Sequence, residues 1–308
     1  MLRVDLKVAG GGQLRVQAAF ELAAGQVLAL HGPSGAGKTT LLRAVAGLLP
    51  AEGEVELDGW DFRRLPVWRR PIGWVPQRQG LVPHWSPEQH LAAMGAQLAV
   101  GIEEALRRLD LLRLRARPVR ELSFGERQRL ALGRAIFAGR PLLLLDEPFS
   151  ALDARARLEM GDLLREQLST AGSMALLASH DLREVQRLGD RICLISSGQM
   201  LAEGPVETTL RQPPNLRSAE LLGYRPLPGG LVVHPGQAVL RPGPGLVEVA
   251  GVVVRAVPQD FGWRLELRTR DGRPFSADLP AAPGLPAPGD ELRVYFPDLR
   301  LGQSGDGV

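Results

Sequence analysis

Residues Gly32-Pro33-Ser34-Gly35-Ala36-Gly37-Lys38-Thr39 spell G-x-x-x-x-G-K-T, the pattern of a phosphate-binding loop. Chance produces it in about one chain in a hundred of this length. Its setting is also right. Val27–Leu30 before it reads as a short buried strand, and Thr39–Leu48 after it as a helix ending near Gly47. That sequence of strand, loop and helix commits the chain to an α/β architecture. The glycines let backbone N–H groups turn inward around phosphate oxygens, and the helix N-terminus adds partial positive charge. Lys38 would then reach the β- and γ-phosphates of a nucleotide, and the Thr39 hydroxyl would hold Mg²⁺. A glycine-rich turn carrying an ordinary surface lysine is a poor account, because Lys7 and Lys38 are the only lysines in the chain.

The partner for such a loop is an acidic strand end. Leu142-Leu143-Leu144-Leu145 is a second buried strand, and Asp146-Glu147 closes it. Asp146 suits the Mg²⁺ shell and Glu147 the activation of an attacking water. Met174–Ala178 reads as a third buried strand, and Leu182, Val185 and Leu188 mark one face of a short helix. Pro87 to Arg120 is rich in Arg and Leu, helical in pattern and without a strand signal. At the N-terminus Leu2, Val4, Leu6 and Val8 alternate with polar residues, so a strand is expected there and not a signal peptide.

After Leu222 the texture changes. A Pro/Gly-rich stretch gives way to short strands: Trp263, Leu265 and Leu267 alternate with polar residues, Asp271-Gly272 is a hairpin turn, and Leu292, Val294 and Phe296 alternate again. The expected domains are therefore 1–222, a linker at 223–230, and a small barrel-like β domain at 231–308. With 44% hydrophobic and 23% charged residues, disorder is excluded as a general reading. No apolar run reaches the length of a membrane-spanning helix, and the chain is expected to stay in the cytoplasm. Lys+Arg 37 against Asp+Glu 34 gives only +3, weak support for a nucleic-acid partner. The single Cys193 lies in the apolar run Ile192–Ile195 and is read as a buried structural thiol.

Further motifs carry a family resemblance. Leu122-Ser123-Phe124-Gly125-Glu126-Arg127-Gln128-Arg129 resembles the LSGGQ signature of ABC-type ATPases and stands shortly before the acidic strand. Val75-Pro76-Gln77 resembles the Q-loop, Ser150-Ala151-Leu152-Asp153 the D-loop, and Ser179-His180-Asp181 the switch histidine. Asp190-Arg191-Ile192, Gly198-Gln199 and Glu203-Gly204-Pro205 resemble the family's closing strands. The motifs occur in order over residues 1–222. The fold implied is a P-loop ABC ATPase domain with a helical subdomain, followed by a small all-β domain of OB/TOBE type.

The resemblance implies an ATPase that works as a head-to-tail homodimer with ATP and Mg²⁺. Its nucleotide site would comprise Gly32, Pro33, Ser34, Gly35, Ala36, Gly37, Lys38, Thr39 and Thr40 of one subunit. Ser123 and Gly125 of the other subunit would cover the ATP, with Asp153 linking the two sites. Thr39, Gln77 and Asp146 would serve the metal. Glu147, His180 and Gln77 would serve catalysis, with Gln77 also sensing a membrane permease. An extracytoplasmic solute-binding protein would act indirectly, nucleic acid would not be a partner, and the ATPase would sit on the cytoplasmic face of the membrane.

Two departures stand out. Phe124 and Glu126 occupy positions where the family usually has glycine and glutamine, and Gly10-Gly11-Gly12 occupies the region where an aromatic usually stacks on adenine. Val16 and Phe20 are read as core. In the tail, His234–Val239 and Pro288–Leu301 resemble the accessory β domain of importer ATPases. The signature variant, the missing aromatic and the single compact β domain resemble molybdate/tungstate importers. Importers of sulfate, ferric iron or another small solute are the alternative, and a soluble non-transport ABC ATPase a more distant one.

Overall fold

A computed structural model describes residues 1–10, 13–95, 98–227, 231–238, 244–259, 262–280, 287–297 and 299. Contacts divide the chain into two compact units, Met1–Glu207 and Thr208–Val308.

In the first unit, alternation and continuous apolar runs make two kinds of strand. β1 (Leu2–Gly10) alternates buried and exposed residues and pairs antiparallel with β2 (Gln13–Leu22), Leu2 opposite Leu22 and Val4 opposite Phe20. Val16 and Phe20 are buried core residues, as expected. β3 (Val27–His31) is buried at every position and leads through the phosphate loop into α1 (Lys38–Ala46), which ends on Gly47 in the left-handed region. β4 (Glu52–Leu57) pairs with the free side of β1, and β5 (Trp60–Asp61) with β4. β6 (Ile72–Val75) follows.

The stretch rich in Arg and Leu forms α2 (Pro87–Ala92) and α3 (Ile102–Arg108) with short 3₁₀ turns and no strand among the described residues. Then come α4 (Phe124–Ile136), β7 (Leu142–Asp146), α5 (Ala154–Ala171), β8 (Met174–Ser179), α6 (Leu182–Leu188), β9 (Arg191–Ser196) and β10 (Gln199–Pro205). The sheet order is β5-β4-β1-β2-β10-β9-β3-β8-β7-β6. β9, β3, β8, β7 and β6 are mutually parallel, and β10 pairs with β2 in parallel at Gln199–Gln17.

Parallel strands buried on both faces need apolar residues at every position, and here the two sets are used separately. Leu142 and Leu144 of β7 pack in a cluster with α1 and the β1–β2 arm; Leu143 and Leu145 pack in the other with α4 and α5. Cys193 is buried in β9, and burial pushes its thiol well above the usual range, so it is the inert thiol expected. The carboxyl ends of β3, β7 and β8 lie in register, His31 opposite Ser179 and Asp146 opposite Ala178. Ligands in open α/β sheets bind at such strand ends. No helix among the described residues is long and apolar enough to cross a membrane.

The second unit begins within α7 (Val206–Arg211), ahead of the Leu222 boundary expected from composition. Within this unit the buried Tyr224 hydroxyl donates its one proton toward the Leu210 carbonyl at 2.8 Å, with the Arg211 carbonyl also in reach at 3.1 Å, and Gln237 Nε2 donates to it at 3.1 Å. α8 (Leu216–Leu221), β11 (Arg225–Pro226) and β12 (Val232–Val233) follow. β13 (Leu246–Gln259), β14 (Gly262–Arg268), β15 (Pro274–Pro280) and β16 (Glu291–Pro297) make an antiparallel sheet of order β15-β14-β13-β16. Its core uses the alternating residues Leu265, Leu267, Val294 and Phe296. The β14–β15 turn is at Asp271-Gly272, with Gly272 at φ 83°. His234, in the segment resembling the start of an importer's accessory domain, packs on Tyr224 at 5.0 Å between ring centres. Val239, Leu301, Gly11 and Gly12 lie outside the described residues.

Candidate functional site

The phosphate loop leaves β3 at His31 and enters α1 at Lys38. Gly32 is required there for space, since a Cβ at that position would lie 2.0 Å from the Ile195 carbonyl oxygen. Gly37 is required for conformation: its φ of 109° belongs to the region that L side chains avoid. Lys38 is buried, and its Nζ donates to the carbonyl oxygens of Gly32 at 2.6 Å and Pro33 at 3.0 Å. The ammonium therefore sits across the mouth of the loop, close to where phosphate oxygens would enter. Burial lowers its pKa, and the nearby Glu147 and Asp146 carboxylates oppose that.

Thr39 and Asp146 meet at the strand ends. Thr39 Oγ1 donates to Asp146 Oδ1 at 3.0 Å, and Asp146 is only 2% exposed. Desolvation raises the Asp146 pKa against the Thr39 hydrogen bond, a carboxylate short of compensating charge. A hydroxyl and a buried carboxylate are hard oxygen donors, the set that Mg²⁺ takes while keeping its waters and phosphate oxygens. The described residues contain no group of three or more acidic, His or Cys side chains that could cage a metal by themselves. The pair thus fits a cation brought with a phosphate.

Glu147 follows on a left-handed turn, φ 49°, and its N–H donates to the Ala178 carbonyl of β8 at 3.0 Å. That turn lifts its side chain out of the strand end. His180, one residue past β8, is exposed and places Nδ1 3.1 Å from Glu147 Oε1. His31 beneath them is buried, with Nδ1 3.2 Å from the Ser179 carbonyl, and desolvation lowers its pKa to about 4.

The remaining expected residues lie elsewhere. Gln77 is exposed in the bend after β6 and forms no hydrogen bond to Thr39 or Asp146 among the described residues. Ser123 is the N-cap of α4: its hydroxyl accepts from the Glu126 N–H at 3.2 Å, and the Glu126 carboxylate accepts from the Ser123 N–H at 2.6 Å. Glutamate in place of glutamine thus completes a capping box. Phe124 is 55% exposed, with the Arg127 guanidinium 5.8 Å from its ring centre, so its bulk leaves the helix start undistorted. A Cβ on Gly125 would lie 3.4 Å from the Ala151 carbonyl, which sets the start of α4 beside the 150–153 loop. Asp153 is exposed and caps α5 through the Ala156 N–H at 2.8 Å. Ser34 and Pro33 are exposed on the loop, and Thr40 is half-buried on α1.

Sequence reasoning passed over Arg157, Gln79 and Gln128. Arg157 donates to the Leu152 carbonyl at 3.2 Å and pairs with Asp181 and Glu184, joining the 150–153 loop to the residues after His180. Gln128 carries a readable signal: Leu132 and Ala135, four and seven residues on, are buried, so an amide occupies the apolar face of α4.

Residues 16–150 match the family described as ABC transporter. A putative 2-aminoethylphosphonate import ATP-binding protein of Salmonella typhimurium is 37% identical over 243 residues, 75% of this chain and 64% of that protein. A molybdenum import ATP-binding protein of Rhodopseudomonas palustris is 39% identical over 218 residues, 67% of this chain and 57% of that protein. The chain thus spans under two thirds of the length of either relative. Among solved structures, a dimeric ATP-binding cassette in a post-hydrolysis state, bound to ADP and Pi, aligns with TM-score 0.59 at 25% identity, over 67% of this chain and 99% of that one.

Proposed function

We propose that this chain, whose residues 16–150 match the family described as ABC transporter, is the ATP-hydrolysing subunit of an ABC importer. The observation that carries the reading is the convergence of Lys38, Thr39, Asp146, Glu147 and His180 at the ends of β3, β7 and β8.

In this reading, backbone N–H groups of the loop from Gly32 to Thr40 and the Lys38 ammonium bind the β- and γ-phosphates. Thr39 and Asp146, with Gln77, would hold Mg²⁺, and the ion would supply neutralisation of the phosphate charge. Glu147 accepts a proton from the attacking water, and His180 orients the Glu147 carboxylate and donates toward the γ-phosphate. Ser123 and Gly125 present a hydroxyl and N–H donors at the start of α4, directed at the ATP of a second copy, with Asp153 at the contact between sites. Binding of ATP favours the closed dimer and hydrolysis releases it, a population shift that the permease reads. The chain would sit on the cytoplasmic face of the membrane, bound to permease subunits and served by an extracytoplasmic solute-binding protein.

Molybdate or tungstate is the proposed cargo, supported by the Leu122–Glu126 variant and by the molybdenum-import relative. The phosphonate-import relative keeps other oxyanions as the second reading. Two measurements test the proposal. The purified full chain should release phosphate from Mg-ATP, and deleting the gene in a strain without a redundant importer should abolish labelled molybdate uptake. Uptake unchanged for molybdate and lost for sulfate or a phosphonate would replace the cargo and keep the ATPase. Absence of phosphate release would remove the ATPase.

A further inference from the structure

We propose that Gln79 and Gln128 are positioning residues that tie the loop after β6 to the turn carrying Glu147. The proposal rests on the reading of Glu147 as the group that activates water.

Gln128, on α4, is 2% exposed. Its Nε2 lies 2.8 Å from the Pro148 carbonyl, and its Oε1 lies 2.9 Å from Gln79 Nε2. A carbonyl only accepts, so the Gln128 NH₂ group faces Pro148 and its oxygen faces Gln79. Gln79 must then donate, which it also does to the Phe124 carbonyl at 3.3 Å. The relay has a fixed polarity: Gln79 donates to Gln128, and Gln128 donates to Pro148. Both ends of the buried amide are satisfied, and losing either partner strands a polar group where water is excluded.

The far end of the relay meets a strained residue. Glu147 holds φ 49° without being glycine, a conformation that L side chains rarely adopt and that persists only where the surroundings enforce it. Its N–H is held by Ala178, and its carbonyl accepts from the Ser150 hydroxyl at 3.0 Å. The Pro148 carbonyl, the next acceptor along, is held by Gln128 alone among the hydrogen bonds of the described residues. The near end, Gln79, lies two residues past Gln77. A displacement of the 77–80 loop therefore pulls on the turn that aims Glu147.

The test uses Gln79→Met, Gln128→Met and the double variant of the full chain. Each single change should lower the kcat for ATP by about tenfold while nucleotide affinity stays within about twofold, as expected for misplacement of a reacting group. The double variant should be no worse than Gln128→Met, because both break one path. Hydrogen exchange over residues 147–152 should rise in both single variants, a readout independent of turnover. Unchanged exchange in Gln79→Met, additive losses of kcat, or parallel losses of affinity would each overturn the relay. Wild-type protein that binds ATP without hydrolysing it would fail the ATPase reading, and the exchange measurement would still decide the relay. Should Gln128→Met fail to fold, the half-buried Gln79→Met decides by itself.

Discussion

Nδ1 of His180 lies 3.1 Å from Oε1 of Glu147, although the two residues are 33 positions apart and each follows the end of a different strand. Parallel pairing of β7 with β8, Asp146 opposite Ala178, brings them together. The left-handed turn at Glu147 then swings its carboxylate toward the histidine.

Glu147→Gln keeps the shape and removes the proton acceptor. We expect ATP binding to persist and turnover to fall by about a thousandfold, within the range for loss of a general base. Sizing chromatography with ATP should then show a lasting dimer. Hydrolysis near the wild-type rate would assign the proton to another group.

Lys38→Ala should act on binding and not on chemistry alone. Two charge-assisted hydrogen bonds to phosphate oxygens would be lost, which corresponds to about a hundredfold in nucleotide affinity. Titration with a fluorescent nucleotide measures it; affinity within threefold of wild type would place the lysine outside the site.

Ser123→Ala and Lys38→Ala chains should complement on mixing. If the start of α4 serves the ATP of the second copy, one of the two sites in a mixed dimer is intact and about half of the per-site activity returns, as effective stabilisation follows the surviving contacts. With subunit exchange verified by labelled chains, no recovery would argue against a head-to-tail pair. Ser123→Ala also removes an N-cap worth about 1 kcal/mol, so its melting temperature should be read in parallel.

His31 makes stability fall on the acid side. Its pKa is lowered in the fold from 6.5 to about 4, so between those values the unfolded chain binds the extra proton. Stability from this residue is fully present above about pH 6.5 and is lost progressively down to about pH 4. The gap corresponds to about 3 kcal/mol as an upper bound. Urea unfolding of wild type and His31→Asn at several pH values isolates the effect, because the raised carboxyls of Asp146 and Glu184 remain in both. Identical acid slopes would mean that His31 titrates normally.

The sequence by itself determined which short segments form strands, turns and helix starts, and which candidate site residues each of them carries. Gly32–Thr39, Leu142–Glu147 and Leu122–Gln128 are local patterns, and each states its own secondary structure because apolar runs, glycines and caps act over a few residues. Alternation in Trp263–Leu267 and Leu292–Phe296 likewise announced the second unit's strands. What only the tertiary structure decided is how separate segments meet. The hydrogen bond from Thr39 to Asp146, the closeness of Ile195 to Gly32, and the path from Gln79 through Gln128 to Pro148 each join residues far apart in the chain. The contact of the Tyr224 hydroxyl with the Leu210 and Arg211 carbonyls, across the composition change at Leu222, is likewise visible only in the folded chain. Sequence periodicity encodes which face of an element is buried; which partner that face meets depends on sheet register and helix packing, which arise only when the whole core assembles.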